Sequence, residues 1–407
     1  MRRTLILMLF ILCGLLSGLV SPELNTARIA YYNNRDYERA KKACLKGIKE
    51  GQKNFELYAI LAGCEISSGN WQDASAALIN AFEVDSSKTF KWMDEKGGGE
   101  QNFYQAFYFS AHELFDEQKY EDALRQLDYA KMLNPGEIKI YVLKGAILYK
   151  MGKKEEANKQ YQKVLGLDSE NPDVYFLIGK SLFESKAYDS SSTYFNNATK
   201  YYTNDYSRLS RVIFQNLPEV DKNLVPKIMN LWHGQNFKQL DSLIKTELQF
   251  NEGLDVHIKK FEQFYRAATD LARSYYFAGM SYYNLKKDSL ALKNLLKSIE
   301  LTPYDLDGLY FMGEIYIKLK KYDDAVPYLK TLTRLKKDDV YAWFYLGVCY
   351  TQLKRYKKAI DVYENRVLEL DPKNIDAMNN LAFIYSELGE NEKSFEYLKK
   401  VQEIQNQ

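Results

Sequence analysis

Apolar residues recur along the chain with a helical period, and the apolar stripes come in pairs. Trp343, Leu346, Gly347 and Tyr350 stand at i, i+3, i+4 and i+7, which is one face of a helix. Lys354 and Arg355 follow as a polar turn, and Tyr356, Ala359 and Tyr363 form the stripe of a second helix. Pro372 cannot continue that helix and closes the unit. The pattern predicts a helix–turn–helix unit in which the glycine lets two helix axes approach closely.

The unit recurs. A small residue opens each second helix at Ala40, Ala74, Ala123, Ala157, Ser191, Ala291, Ala325, Ala359 and Ser394. The steps 40–74, 123–157, 157–191, 291–325 and 325–359 each measure 34 residues, and the step from 359 to 394 is one longer. The first helices repeat independently. Their small residue is Ala62, Ala111, Gly145, Gly179, Gly279, Gly313, Gly347 or Ala382. Their leading large residue is Tyr58, Phe107, Tyr141, Tyr175, Tyr275, Leu309, Trp343 or Met378. Gly69, Gly152 and Gly389 mark turns, and Pro135, Pro172, Pro303 and Pro372 fall at junctions.

The spacing W-x₂-L-G-x₂-Y…A-x₃-F…P over residues 343–372 resembles the tetratricopeptide repeat, and the likeness runs over roughly residues 28–405 outside two interruptions. It implies an all-α fold: a right-handed helical solenoid of about nine to ten units, one degenerate, with an irregular helical middle. Its concave face is expected to bind an extended peptide or a partner's helix. An N-terminal array of about five repeats is placed at 22–205, an irregular region at 206–271 and a C-terminal array of four repeats at 272–407. The first interruption, around 87–102, contains Gly97-Gly98-Gly99 and is expected as a flexible surface loop, because glycine is costly inside a packed helix. In the second, Leu224, Ile228, Leu231, Phe237, Leu240 and Ile244 fit a degenerate repeat, and Phe261, Phe264, Tyr265 and Ala268 one extra helix.

Carried over unit by unit, the family's groove positions fall on Tyr108, His112 and Phe115; Val142 and Tyr149; Phe176, Lys180 and Phe183. They continue at Tyr276, Met280 and Tyr283; Tyr310 and Glu314; Phe344 and Val348; Asn379 and Phe383. The Lys and Asn residues with which chaperone-binding members grip a carboxylate do not recur. The set is mostly aromatic, the residue type enriched at binding hot spots. Rings are abundant throughout, with 34 Tyr and 21 Phe, so their burial against neighbouring helices is the competing reading. His112 is read as a hydrogen-bonding wall residue.

Charge adds an exclusion. The formal net charge is +2, and Arg2 and Arg3 account for it, which leaves no field for nucleic acid. Lys336-Lys337 and Lys399-Lys400 read as solvated helix faces. No catalytic, cofactor or metal site is assigned. The three histidines, His112, His233 and His257, do not fall at zinc-ligand spacing with cysteines, and no phosphate loop or hydrolase elbow is present. Glu155-Glu156 and Asp323-Asp324 complement helix dipoles. The expectation is a non-enzymatic protein-binding scaffold. A polysaccharide or peptidoglycan module using stacked rings is the alternative, and an enzyme site around Trp232, His233 and Glu262 a weak third reading.

Met1-Arg2-Arg3 before the apolar run Leu5–Val20 reads as an export signal, placing the rest in the periplasm or cell envelope. Residues 1–21 are read as a cleaved signal peptide, or else residues 4–20 as a retained membrane anchor, although the run is short for a spanning helix. Cys13 follows Leu12 and precedes Leu15, Leu16, Leu19 and Val20, which fits a leader residue better than a lipidation site. Cys44 and Cys64 fall on neighbouring helices, where a disulfide is conceivable in an oxidising compartment. Separate packing of the two is the plainer reading. The partner's identity and the oligomeric state are not written in the sequence.

Overall fold

The computed structural model describes residues 20–96, 100–217, 221 and 223–406. The leader with Cys13, and Gly97-Gly98-Gly99, lie outside these. The described residues are all-α, with no β-strand among them. The chain divides between Ser169 and Glu170 into two compact units.

The first unit holds α1 (Pro22–Arg28, continued by a π-helical turn at Ile29–Asn33), α2 (Tyr37–Lys49), α3 (Phe55–Ser68), α4 (Trp71–Glu95), α5 (Glu100–Asp116), α6 (Tyr120–Leu133), α7 (Ile138–Lys150) and α8 (Lys154–Leu167). The second holds α9 (Pro172–Glu184), α10 (Tyr188–Ile213), α11 (Leu224–His233), α12 (Phe237–Thr246), α13 (Leu254–Asn284), α14 (Asp288–Leu301), α15 (Leu306–Lys318) and α16 (Tyr322–Leu335). It continues with α17 (Val340–Gln352), α18 (Tyr356–Val362, extended by a π-helical turn to Val367), α19 (Ile375–Glu387) and α20 (Asn391–Gln405).

Local chemistry sets these bounds. Asn54, Asn171, Asp339 and Asn374 cap first helices by accepting a backbone N–H bond from the first turn. The turn inside each pair needs one left-handed residue. Gly69, Gly152 and Gly389 supply it at φ 74°, 79° and 77°. Gln118, Lys186, Gln235, Lys286, Lys320 and Lys354 supply it elsewhere at φ between 52° and 62°. Gln235 shows that the degenerate hairpin α11–α12 keeps the same turn.

A small-against-large contact then locks the regular pairs. Ala40, Ala74, Ala123, Ala157, Ser191, Ala291, Ala325 and Ala359 are fully buried. Four residues after Ala157, Ser191, Ala291, Ala325 and Ala359 a large side chain reaches the glycine of the first helix. A Cβ on Gly145 would stand 2.3 Å from Tyr161, one on Gly313 2.7 Å from Leu329, and one on Gly279 2.9 Å from Leu295.

Both interruptions differ from expectation. The first is largely helix. α4 kinks at Asp85 (φ −161°, ψ 94°) and resumes to Glu95. Asp85 caps the resumed segment through Lys88 N at 3.0 Å. Thr89, Trp92 and Met93 are buried, and Phe90 lies 5.0 Å from Phe82. Apolar anchors at helical spacing therefore hold as helix a stretch expected as loop.

In the second, α10 and α13 are lengthened and pack along one another. Phe195 stacks on Phe277 at 5.3 Å, Tyr206 on Phe264 at 5.6 Å, and the Ser191 and Ser281 hydroxyls meet at 3.2 Å. The boundaries drawn at 205/206 and 271/272 fall inside these two helices. The extra helix expected at 261–268 is the N-terminal half of α13. Between the far ends of α10 and α13, α11 and α12 form an inserted hairpin, with Leu224, Ile228, Leu240 and Ile244 buried. Phe237 is 40% exposed and sets its ring against Trp232 at 5.5 Å.

Cys44, Cys64 and Cys349 are free and buried, and burial pushes the Cys64 and Cys349 thiols up to about 12. The conceivable Cys44–Cys64 disulfide is not formed. Among the described residues no helix is long and apolar enough to cross a membrane.

Candidate protein-binding surface

In the second unit, the first helices of consecutive repeats are the C-terminal half of α13, then α15 and α17. Each carries an aromatic doublet at the same place: Tyr276-Phe277, Tyr310-Phe311 and Phe344-Tyr345. From Tyr283 on α13 a run of rings passes through the second and third doublets. Tyr283 lies 5.8 Å from Phe311, Phe311 5.6 Å from Tyr310, Tyr310 6.1 Å from Tyr345, and Tyr345 5.9 Å from Phe344. One row of rings thus crosses three helices. Tyr276, Tyr283, Tyr310, Tyr345 and Phe344 are half-buried, and Tyr341, at the start of α17, is 72% exposed. Phe311 and Tyr345 were not among the groove positions carried over. The repeat of the doublet every 34 residues is the signal that would have found them.

Two expected surface residues are core residues. Phe176 is enclosed by Phe195 at 5.5 Å and Phe277 at 5.6 Å, with the Arg273 guanidinium 4.8 Å over its ring. Met280 is buried in a cluster with Tyr276, Tyr283 and Tyr310 packed against it. Both fill space between helices and offer no free surface. Phe183 is half-buried against Phe277 at 5.7 Å and Tyr188 at 5.3 Å. Phe383 on α19 is 51% exposed. Lys180, Glu314 and Val348 are half-buried, and Asn379 is exposed.

The first unit places Tyr108, Phe115, Val142 and Tyr149 as half-buried residues. Tyr108 meets Phe109 edge-on at 5.3 Å, and Phe109 lies 4.6 Å from Trp71. Phe115 sits 5.9 Å from Tyr120, and the Lys154 ammonium is 5.9 Å from the Tyr149 ring. His112 is exposed, its Nδ1 3.3 Å from Asp116.

The electrostatics of the row keep its tyrosines neutral. Tyr283 donates its hydroxyl proton to Glu314 Oε1 at 2.7 Å. That carboxylate, and then burial, push Tyr283 up to about 12. Burial, and then Tyr345, push Tyr310 up to about 12. Burial followed by Asp307 and Asp305 raises Tyr276. These hydroxyls stay protonated at neutral pH, so they give hydrogen bonds and apolar area rather than a base. Elsewhere, His233 stacks on Tyr304 at 3.8 Å, and Glu262 pairs with Arg266 at 3.3 Å. Among the described residues no group of three or more His, Cys, Asp or Glu could hold a metal ion.

Tetratricopeptide-repeat family models match residues 145–186, 272–305, 312–375 and 364–396. The chain carries tetratricopeptide repeats. It is 24% identical over 200 residues to a TPR repeat-containing protein of Methanocaldococcus jannaschii, covering 48% of this chain and 30% of that protein. It is 30% identical over 100 residues to a DnaJ homolog subfamily C member 3 homolog of Dictyostelium discoideum (24% and 20% covered). It is 24% identical over 220 residues to Hsp70-Hsp90 organizing protein 1 of Glycine max (47% and 38%). The chain therefore spans between 20% and 38% of the length of these relatives.

Among solved structures it is similar to Pseudomonas aeruginosa PilF (13% identical, 68% of this chain and 95% of that one, TM-score 0.42). It is also similar to the C-terminal part of a tetratricopeptide repeat-containing protein from Cytophaga hutchinsonii (16% identical, 88% and 99%, TM-score 0.43). Tetratricopeptide-repeat proteins generally mediate protein–protein interaction and are typically non-enzymatic scaffolds.

Proposed function

We propose that this protein is a non-enzymatic scaffold that binds segments of partner proteins along the aromatic row of its first helices. The observation that carries this reading is the unbroken run of half-buried rings from Tyr283 through Tyr310 and Tyr345 to Phe344, on three successive repeats. Aromatic anchors on rigid helices give large contact area at low entropic cost. Tyr108 in the first unit and Phe383 on α19 are proposed as further contacts. We further propose export to the cell envelope, on the strength of Met1-Arg2-Arg3 and the apolar run behind it. The scaffold would there support assembly or secretion of a complex.

The test is in-cell photocrosslinking with a photoreactive residue at Tyr108, Tyr283 or Phe344, followed by mass spectrometry. One dominant envelope protein captured from several positions, and lost in a Tyr310→Ser background, supports the scaffold. A folded, exported chain that yields no protein adduct but is retained on a peptidoglycan resin would replace it with the glycan reading.

A further inference from the structure

At Tyr276, two helical turns before Tyr283 on α13, lies a cavity of about 440 Å³, lined also by His233 of α11, Arg273 of α13, Tyr304 and Asp305 before α15, and Asp307 within it. Its walls are rings. The His233 and Tyr304 planes lie 3.8 Å apart and 5° from parallel, and the Tyr304 hydroxyl donates to Tyr265 at 3.1 Å. Its charges do not balance internally. Arg273, the lining cation, is committed to Asp270 at 3.5 Å and to the face of Phe176. Among the described residues neither Asp305 nor Asp307 has an ion-pair partner.

Residues 272–284, 306–318 and 340–352 contain two cations, Arg273 and Lys318, and two acids, Asp307 and Glu314. Lys318 is held by Asp288 at 3.0 Å. Glu314 accepts the neutral Tyr283 hydroxyl and has no ion-pair partner among the described residues. Asp339 is neutralised by Lys336 at 3.2 Å. Lys180 belongs to α9, one repeat before Tyr276. Both cations of the row are thus paired with acids outside these stretches, while Asp307 and Glu314 have no ion-pair partner among the described residues.

We propose that this cavity receives an arginine or lysine side chain of the bound segment, and that the partner is a cationic protein segment. This rests on the reading of the aromatic row as the binding surface. A cation here would meet two carboxylates through charge-assisted hydrogen bonds and ring faces through cation–π attraction. Burial holds the Asp305 carboxyl above the usual carboxylate range, as expected of an acid lacking its counter-charge.

The experiment is fluorescence polarisation with two labelled peptides on the full chain, one alternating leucine and arginine, the other with citrulline for each arginine. Citrulline keeps the shape and removes the charge. The arginine peptide is expected to bind about tenfold tighter, the scale of one charge-assisted contact. Asp307→Asn should bring the two within about twofold, while Asp376→Asn, an exposed acid on α19, should leave the ratio unchanged.

Equal binding of both peptides, each weakened by Tyr310→Ser, would overturn the cationic partner and leave the aromatic surface standing. A loss with Asp376→Asn as large as with Asp307→Asn would overturn the cavity as the seat of selectivity. No binding of either peptide, with no crosslink from Tyr283, would remove the surface reading and this inference together.

Discussion

A methyl group on Gly347 would stand 2.6 Å from Cε1 of Tyr363, a ring with no exposed surface. Real Cβ atoms are not found that close, so Gly347→Ala must move the ring or spread α17 from α18. Overpacking costs about 1–3 kcal/mol, and the helix-propensity gain from glycine to alanine returns at most about 1 kcal/mol. A net loss of about 1–2 kcal/mol is expected in urea denaturation. The chain itself suggests the rescue, because Ala62 and Ala111 are matched by Leu78 and Leu127 at the same positions. Tyr363→Leu added to Gly347→Ala should therefore cost less than the two changes summed. Strict additivity would mean that the two positions are not a lock.

This pairing explains why the fold was legible. A small residue on one helix and a large one on the next must co-occur at fixed spacing, and the sequence carries both. The middle was less so. Ile213, Phe261 and Phe264 continue a helical period, but sequence spacing does not show that α10 and α13 lengthen to pack on each other across residues 214–253. Before Gly97-Gly98-Gly99, the burial of Thr89, Trp92 and Met93 makes helix of a stretch whose glycines favour a loop. In the surface, Tyr283, Tyr310 and Phe344 were readable from register alone. Phe176 and Met280 were not, because their burial depends on partners distant in sequence; Phe277 covers Phe176 from about a hundred residues away.

The left-handed turn offers a test of backbone cost separate from packing. A Cβ on Gly152 would meet nothing within 4 Å, so at φ 79° Gly152→Ala should lose about 1 kcal/mol from the backbone alone. Lys320 occupies the equivalent place at φ 58°. Lys320→Gly relieves the same strain but loosens the unfolded chain, for a net gain of under about 1 kcal/mol. The midpoints of urea unfolding should shift in opposite directions. A shift of the same sign in both variants would rule the explanation out.

In the first unit, Glu56 is 4% exposed and accepts from Arg28 through Nε at 2.9 Å and through Nη2. Lys96 is 3.9 Å from the same carboxylate, and Tyr32, which accepts from Trp92, lies 3.4 Å away. Removing one partner of a buried pair strands the other, at a cost of about 3–5 kcal/mol. Arg28→Met should approach the lower end, since Arg28 is partly solvated and Lys96 remains. Glu56→Gln in the same chain should recover most of the loss. A double variant no more stable than Arg28→Met would place the loss in packing of the arginine stem rather than in charge.

Asp305 predicts a pH dependence of definite sign. Burial, opposed by backbone N–H groups and reinforced by Asp307, raises its pKa in the folded chain. Between the ordinary value of 3.8 and that raised value, the folded state holds more protons than the unfolded one. Stability contributed by this group therefore rises as pH falls through the window, and at neutral pH its ionised form is a cost. Asp305→Asn keeps a favoured residue type at the N-cap position of α15 and removes the ionisation. The variant should match or exceed the parent at pH 7, and the gap should close as pH drops below about 4. Urea unfolding of both chains across that range isolates the effect from other carboxylates. A difference independent of pH, or one that widens in acid, would contradict it. A bound arginine peptide should narrow the gap, because a cation beside Asp305 favours the ionised form against the burial that raises its pKa.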